Sequence, residues 1–196
     1  MLSKINRGLV LIVSSPSGAG KTTICKKLIQ DIENLNLSVS VTTRLKRQNE
    51  IDGKDYFFKS DEEFDKMVKQ EKFLEHARVF GYSYGTLKSE INSKITNGIN
   101  VIVDIDWQGT RQIEEHIPND IVKIFILPPS IKELEKRLGT RATESQDSFK
   151  KRMSEARKEI SHYHEYDFII INEDVQESVN KIKSILNSES LRRPVS

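Results

Sequence analysis

Apolar residues along this chain occur either in short continuous runs or in stripes at helical spacing. The runs at 9–13, 99–106 and 121–127 are apolar at successive positions, which is typical of strands buried on both faces of a parallel sheet. Between the first two runs, one stripe lies on a single face of a predicted helix and comprises Ile24, Cys25, Leu28, Ile29 and Ile32. Buried strands that alternate with amphipathic helices predict a doubly wound α/β fold, with a parallel sheet flanked by helices.

Weaker patterns predict the remaining elements. Further strands are predicted at 37–41, 55–58, 73–80 and 167–172. Helix starts are indicated by serine or aspartate followed three residues later by glutamate, in the pairs Ser60 with Glu63, Ser130 with Glu133, and Asp174 with Glu177. Apolar stripes predict further helices through Phe64, Met67 and Val68, through Leu87, Ile91 and Ile95, and through Phe149, Met153, Ala156 and Ile160.

Two stretches interrupt the alternation of strand and helix. From about 38 to 98 the strands are short and polar, which predicts a small insertion built on its own sheet. From about 129 to 163 the chain is helical and dense in charge. The core is then expected at about 1–37, 99–128 and 164–190 of a single domain. Both interruptions fall between core strands, where binding segments are commonly carried by a rigid scaffold.

Composition narrows the class of protein further. Thirty-one Lys and Arg residues against twenty-nine Asp and Glu residues give a formal net charge of +2, so no strong field favours nucleic acid or a membrane surface, and we expect neither as a partner. The single cysteine, Cys25, excludes an internal disulfide and suits a reducing compartment. No apolar segment approaches membrane-spanning length. We therefore expect a cytoplasmic protein, whose assembly as a homo-oligomer the sequence leaves open.

The segment "SSPSGAGKTT" lies between the first predicted strand and the first predicted helix. It fits the phosphate-loop pattern G-x-x-x-x-G-K-[ST] at every position except the first, where Ser15 replaces glycine. Glycines allow backbone N–H groups to turn toward phosphate oxygens at a helix N-terminus, and Lys21 can then reach the β and γ phosphates. The Thr22 hydroxyl is in place for Mg²⁺. A glycine-rich turn that only caps a helix is the alternative. The predicted nucleoside triphosphate site comprises Ser15, Pro16, Ser17, Gly18, Ala19, Gly20, Lys21, Thr22 and Thr23.

Three further segments, read together with the phosphate loop, identify a family. "SVSVTTRLKRQNEIDGKDYFF" (38–58), "FLEHARVFGYSYGT" (73–86) and "VDIDWQG" (103–109) resemble guanylate kinase in their order and spacing. The resemblance covers most of the chain. It implies transfer of the γ-phosphoryl group of ATP to GMP, with Mg²⁺ as cofactor, in a phosphate-loop core that carries a GMP-binding insertion and a lid. The two interruptions match the insertion (38–98) and the lid (129–163).

The resemblance also implies roles for individual residues of the insertion. The GMP phosphate is expected on Arg44, Arg47, Tyr56 and Tyr84, and guanidinium forks and phenol donors suit a dianionic phosphate. The guanine base is expected on Ser40, Glu75 and Thr86, with Asp106 assisting. An ionised Glu75 can accept hydrogen bonds from N1–H and the exocyclic amine of guanine, whereas adenine has no proton at N1. A solvated basic face and core-filling tyrosines are the alternatives.

The core and the lid supply the other expected residues. Asp104 ends an apolar run, where an acidic residue can hold a metal-bound water, and Asp106 is expected on the same face of that strand. Their spacing leaves open which of the two is nearer the metal. By the resemblance, the lid arginines Arg137, Arg141 and Arg152 stabilise the transferring phosphoryl group. Asn172 matches a position that contacts adenine, although an Asn that ends a strand is often a turn former.

Other functional classes share parts of these signals. A non-catalytic module of the same fold would be expected to lose the charges of the phosphate loop and the lid, which are present here. A phosphate-loop GTPase needs an N/T-K-x-D motif, which the sequence lacks. A kinase for another nucleoside monophosphate shares the phosphate loop but does not require this insertion. His162 and His164 lie two residues apart without a third ligand, so we expect no histidine metal site.

Overall fold

The computed structural model describes residues 7–79, 81–139 and 146–192. The strands of these ranges are β1 (Val10–Ser14), β2 (Leu35–Leu37), β3 (Val41–Thr42), β4 (Phe57–Phe58), β5 (Phe73–Val79), β6 (Tyr82–Leu87), β7 (Asn100–Asp104), β8 (Ile121–Leu127) and β9 (Phe168–Ile171). The helices are α1 (Lys21–Asp31), α2 (Asp61–Lys69), α3 (Lys88–Thr96), α4 (Trp107–His116), α5 (Ile131–Gly139), α6 (Gln146–Ile160) and α7 (Val175–Arg192). None of these helices is both long and apolar enough to cross a membrane.

The central sheet has five parallel strands in the order β2, β7, β1, β8, β9. Side chains of β1 alternate between its two faces. Leu11 and Val13 belong to a cluster that includes residues of α1 and α7. Val10 and Ile12 belong to a second cluster that includes residues of α3 and α4. Helices therefore cover both faces of the sheet, and the predicted fold class is confirmed.

The chain segment that connects β2 to β7 forms a second, four-stranded sheet in the order β4, β3, β6, β5. Its cluster contains Val41, Phe64 and Phe73, so α2 packs on this sheet. Leu74 of β5 is instead buried in the cluster of α3 and α4, which joins the small sheet to the core. The predicted capping box of α2 is confirmed, because the Ser60 side chain accepts from the Glu63 backbone and the Glu63 side chain accepts from the Ser60 backbone.

The strand predicted at 37–41 is wrong. Leu37 ends β2 in the central sheet, whereas Val41 begins β3 in the small sheet. Between them, the Ser38 backbone N–H donates to the Ile102 carbonyl and the Ser40 carbonyl accepts from Phe57. The alternating pattern is real, but the chain crosses from one sheet to the other within it. Hydrogen bonds to two different sheets, rather than local propensity, determine where each short strand ends.

Candidate functional site

The phosphate loop leaves β1 at the carboxyl edge of the central sheet and enters α1 at Lys21. Gly18 and Gly20 have φ values of 90° and 100°, in the left-handed region that side-chain-bearing residues rarely adopt. A Cβ atom on Gly20 would lie 2.4 Å from Nδ2 of Asn172. Both conformation and space therefore require glycine at position 20. The Ile24 backbone N–H already donates to the Gly20 carbonyl, so the loop ends as a helix N-terminus that can bind anions.

Asn172 fixes the phosphate loop from the other side of the sheet edge. It is 3% exposed, its Nδ2 donates to the Ala19 carbonyl over 2.7 Å, and its Oδ1 accepts from the Ser178 hydroxyl. Its backbone N–H donates to Leu127 at the end of β8. Both ends of the side-chain amide are thus engaged within the protein. The predicted contact of Asn172 with adenine stays a prediction, whereas its contact with the loop backbone is direct.

Lys21 and Asp104 form an ion pair above the carboxyl ends of β1 and β7. The Lys21 Nζ lies 2.5 Å from Asp104 Oδ1, and the side chains are 19% and 38% exposed. Adjacent parallel strands bring the two residues together, because Val13 of β1 is in register with Asp104 of β7. Thr22 is exposed in the first turn of α1. Asp104 and the Thr22 hydroxyl both line the same cavity and offer oxygen ligands to it.

A cavity of about 1120 Å³ joins the phosphate loop to the helical segment that follows β8. Most residues predicted for ATP and for catalysis line it: Ser15, Pro16, Ser17, Gly18, Gly20, Lys21, Thr22, Thr23, Arg137, Arg152 and Asn172. Asp104, predicted for the metal, and Asp106, predicted for the guanine base, line it as well. Ala19 belongs to the loop but is buried beneath it. Arg137 Nε also donates to Glu133 within α5. The structure therefore places two of the three predicted lid arginines in the same cavity as the phosphate loop. Arg141 lies outside the described residues.

Glu75 is a buried carboxylate on β5. It is 5% exposed, and its Oε1 accepts a hydrogen bond from the Thr86 hydroxyl over 2.6 Å. A β-bulge between Phe73 and Glu75 shifts the register against β6, and bulges commonly redirect side chains at sites. A Cβ atom on Gly109 would lie 3.2 Å from Glu75 Oε2, so the glycine leaves room for the carboxylate beside α4. Burial raises the pKa of Glu75 to about 7.

Asp106 does not share a strand face with Asp104, contrary to the prediction. Strand β7 ends at Asp104, and Asp106 is the N-cap of α4. Its Oδ1 accepts from the backbone N–H groups of Gln108 and Gly109, at 2.9 and 3.0 Å. These bonds begin the helix two residues beyond the strand. Asp106 still lines the large cavity, and its charge contributes to the raised pKa of Glu75.

The residues predicted to bind the GMP phosphate meet on the small sheet. The guanidinium of Arg44 lies over the rings of Tyr56 and Phe58, at 5.4 and 5.8 Å from their centroids. The rings of Tyr56 and Tyr84 meet edge to face, with centroids 6.1 Å apart. Arg44 also forms a two-point ion pair with Glu50. Three of the four predicted phosphate ligands thus form one cluster.

The other residues predicted to bind GMP come from the loop after β3, from the segment before β3 and from β6. Arg47 is exposed in the loop after β3, and its backbone N–H donates to Glu50. Ser40 is partly buried just before β3, and its carbonyl accepts from Phe57. Tyr84 and Thr86 come from β6, a strand that the sequence patterns did not predict because glycine and serine interrupt its apolar alternation. Pairing with β3 and β5 forms this strand.

Comparison with known proteins gives the family. The family model described as guanylate kinase matches residues 7–189. The chain belongs to the guanylate kinase family. It is 48% identical over 184 residues to a protein named guanylate kinase from Rickettsia prowazekii, covering 94% of this chain and 93% of that one. The corresponding protein of Nitrobacter winogradskyi is 48% identical over 187 residues, covering 95% and 85%. A crystal structure of guanylate kinase from Anaplasma phagocytophilum aligns with a TM-score of 0.76 at 37% identity, covering 95% and 88%.

In this guanylate kinase family member, a buried hydroxyl network beneath the cavity was missed by the sequence analysis. The Ser14 hydroxyl donates to the Ile105 carbonyl, and the Thr110 hydroxyl donates to the Asp106 carbonyl. The Tyr166 hydroxyl lies 3.0 Å from the Thr110 hydroxyl, within hydrogen-bond distance. Burial raises the pKa of Tyr166 to about 12, so its phenol stays protonated. The network ties the end of β1 to the start of α4. No local sequence pattern predicts this network, because its residues lie far apart in the chain.

Glu159 of α6 was also missed. It lines the large cavity, and its Oε2 is buried without a hydrogen-bond partner among the described residues. Burial is the main cause that raises the pKa of Glu159, and the negative charge of Asp106 raises it further, whereas the positive charge of Lys21 lowers it. A carboxylate between charges of both signs makes the cavity electrostatically mixed rather than uniformly basic. In the sequence, Glu159 is one of many charges on a helix and carries no distinguishing signal.

Proposed function

We propose that this chain transfers the γ-phosphoryl group of ATP to GMP and gives ADP and GDP. The observation that carries the proposal is the presence, in one chain, of a phosphate loop and of Glu75, a buried carboxylate that has no cationic partner among the residues that the structure describes. A carboxylate kept buried beside a Thr hydroxyl suits a ligand that brings two N–H donors. Guanine has that edge, at N1 and the exocyclic amine, and adenine does not.

ATP is assigned to the cavity of the phosphate loop. The backbone N–H groups at the start of α1 and the Lys21 ammonium would hold the β and γ phosphates. The ion pair with Asp104 restrains the Lys21 side chain within the cavity before nucleotide binds. Asn172 fixes the loop through the Ala19 carbonyl, so the anion-binding conformation exists in the free protein. An anion-binding site that is already formed loses less conformational entropy on binding.

The oxygen ligands of the cavity fit Mg²⁺. This hard cation prefers carboxylates, hydroxyls, water and substrate phosphates, and the cavity offers the Thr22 hydroxyl and the Asp104 carboxylate. We assign Thr22 as a direct ligand and Asp104 as holding a metal-bound water. When bound, the ion neutralises charge on the phosphate oxygens. With the ion bound, the Asp104 carboxylate would serve both Lys21 and the metal-bound water.

GMP is assigned to the small sheet, with its base on Glu75, Thr86 and Ser40 and its phosphate on Arg44, Arg47, Tyr56 and Tyr84. Asp106, the N-cap of α4, is assigned to assist in holding the base. A phosphate oxygen of GMP then attacks the γ-phosphorus of ATP, and the bond from that phosphorus to the β-bridging oxygen breaks to release ADP. Lys21, Arg137, Arg141 and Arg152 are assigned to stabilise the transferring charge. Exclusion of water by these side chains prevents transfer to water instead.

The division of the chain follows the same assignment. We propose a core at about 1–37, 99–128 and 164–190, a GMP-binding insertion at about 38–98 and a lid at about 129–163. The separate sheet of β3 to β6 supports the insertion. The packing of α5 against α6 in a cluster of Leu134, Leu138, Met153 and Ala156 supports the lid as a unit. ATP and GMP are the partners that we propose, with no role for nucleic acid or membrane. We propose a cytoplasmic location, and homo-oligomer formation stays a prediction.

The test is a direct assay of phosphoryl transfer. The protein is incubated with Mg·ATP and, separately, GMP, AMP, TMP or no acceptor, and ADP and the nucleoside diphosphate are quantified. We expect GDP to form in equal amounts with ADP, and little ADP with the other acceptors. A preference for AMP or TMP would indicate a different monophosphate kinase. ADP formation that does not depend on an acceptor would indicate an NTPase, and no turnover with retained GMP binding would indicate a binding module.

A further inference from the structure

The Arg44 guanidinium is held in a fixed orientation by the neighbouring loop. Its Nη1 donates to Glu50 Oε2 at 3.1 Å and to the Leu45 carbonyl at 2.8 Å, and its Nη2 donates to Glu50 Oε1 at 2.6 Å. The side chains of Arg44 and Glu50 are only 13% and 17% exposed. Two aromatic rings lie against the guanidinium plane. Its rotation is therefore restricted on its edge and on its face.

These bonds leave one edge of the guanidinium for a ligand. A guanidinium has five N–H donors, and Glu50 and Leu45 take three of them. The Nε–H and the second N–H of Nη2 point together along the adjacent edge. Neither donates to a carboxylate or a carbonyl among the described residues, and the Tyr84 phenol, which also hydrogen-bonds to the Arg44 side chain, is itself a predicted phosphate ligand. That edge presents two parallel donors, which is the geometry that binds two oxygens of a phosphate.

Glu50 also organises the backbone of the loop. Its Oε2 accepts from the Arg47 backbone N–H at 2.8 Å, and its own N–H donates to the Arg47 carbonyl. The turn from 47 to 50 is thereby closed by the same carboxylate that orients Arg44. Hydrogen bonds from the Arg44 side chain and from the Arg47 backbone N–H lower the pKa of Glu50, so the carboxyl group is ionised at neutral pH. One carboxylate thus fixes both the side chain of one predicted phosphate ligand and the backbone of another.

We propose that Glu50 is a positioning residue for GMP binding, which holds Arg44 so that its Nε and Nη2 edge meets the GMP phosphate. The inference rests on the proposed function, since it takes GMP as the ligand of the small sheet. Without Glu50, Arg44 samples several rotamers, and each GMP binding event must order it again. Ordering a long side chain weakens binding by about threefold to tenfold.

The perturbation is Glu50→Gln, with Glu62→Gln as a matched control. Glu62 is an exposed carboxylate in the first turn of α2, on the same insertion. Calorimetric titration with GMP should give a Kd about threefold to tenfold higher for Glu50→Gln and an unchanged Kd for Glu62→Gln. The KM for GMP should rise similarly while kcat changes little, because the phosphate contact exists in the ground state and in the transition state. A melting curve for each variant verifies folding.

A double-mutant cycle separates positioning from a general effect on the loop. In an Arg44→Gln background, the added Glu50→Gln change should have no further effect on kcat/KM for GMP, because the group that Glu50 orients is already gone. Unchanged or tighter GMP binding by Glu50→Gln would overturn the inference, and tighter binding would show that Glu50 competes with phosphate. A loss of equal size in the Arg44→Gln background would also overturn it. Absence of GDP formation by the unmodified protein refutes the proposed function, whereas the calorimetric result still tests Glu50.

Discussion

The pKa of Glu75 makes GMP binding sensitive to pH in the neutral range. Burial raises that pKa to about 7, whereas guanine recognition requires the ionised carboxylate as an acceptor. A protonated Glu75 would present a donor to the N1–H and amine of the base. GMP binding should therefore strengthen as pH rises through the pKa of Glu75. Glu75→Gln removes the titrating proton while keeping the size of the side chain.

The magnitude follows from the ionised fraction of Glu75. With a pKa of about 7, the carboxylate is ionised in about 24% of molecules at about pH 6.5 and in about 91% at about pH 8. The KM for GMP should fall about fourfold across that interval, beyond any change seen in Glu75→Gln. The phosphate of GMP, whose second ionisation lies near about pH 6, affects both proteins equally. Comparing the unmodified protein with Glu75→Gln at each pH therefore cancels the effect of GMP ionisation on KM.

The same pKa predicts a change in stability with the opposite sign. Because the folded-state pKa of Glu75 lies above the ordinary value of 4.5, the folded protein binds more protons than the unfolded chain between 4.5 and about 7. The contribution of Glu75 to stability is present below about pH 4.5 and is lost as pH rises toward about pH 7, by about 3 kcal/mol in total. Glu75→Gln should thus gain stability relative to the unmodified protein over this interval. Urea unfolding at several pH values measures the difference.

Steady-state kinetics with GMP and AMP from about pH 6.5 to about pH 8 completes the test. At about pH 8, Glu75→Gln should lower the ratio of kcat/KM for GMP to that for AMP by at least about tenfold, or about 1.4 kcal/mol. An identical pH profile in the two proteins would refute the reasoning, since the titrating group would then not be Glu75. An unchanged ratio of GMP to AMP would place guanine recognition elsewhere.

Four further changes test the phosphate loop and the lid. Lys21→Ala should lower kcat by about 3–4 kcal/mol of transition-state stabilisation, and activity within about threefold of the unmodified protein contradicts its role. Asn172→Ala leaves the Ala19 carbonyl without its hydrogen-bond donor. The free energy of unfolding should therefore fall by about 1–3 kcal/mol, seen as a lower melting temperature, and the KM for ATP should rise. Gly20→Ala should abolish ATP binding in a calorimetric titration, because its Cβ would clash with Asn172 at a φ of 100°. Arg152→Ala should mainly lower kcat, and an effect confined to the KM for ATP would make it a plain binding contact.

The sequence by itself determined the elements whose signals are local. The apolar runs of β1, β7 and β8 and the helical stripe of α1 require no knowledge of distant residues. The phosphate loop is equally local, because a strand, two glycines in left-handed conformations and a helix start lie within a dozen residues. Helix N-caps also follow from short spacing, as the Glu177 backbone donating to Asp174 illustrates. Each of these features is signalled by residues close together in the chain, although the strands themselves pair with distant strands.

Strand boundaries in the insertion were decided by tertiary pairing. The alternating segment 37–41 reads as one strand, yet its two ends bond to different sheets. Strand β6 has a weak intrinsic pattern and exists because β3 and β5 hydrogen-bond to it on both sides. Asp106 lies outside the predicted strand because it caps α4, where its side chain accepts from two backbone N–H groups that would otherwise lack partners. Short strands have few local contacts, so their ends depend on long-range hydrogen bonds.

The chemistry of the site depends on contacts that cross the longest sequence separations. Asn172 holds the loop at Ala19, Lys21 meets Asp104 across adjacent strands, and Glu75 lies beside a glycine of α4. Sequence pattern supplied the residue types of the phosphate loop and the insertion. Only the packed structure gave Glu75 its raised pKa, because burial is a property of the surrounding fold and not of the residue. Desolvation, register and side-chain orientation therefore came from tertiary structure.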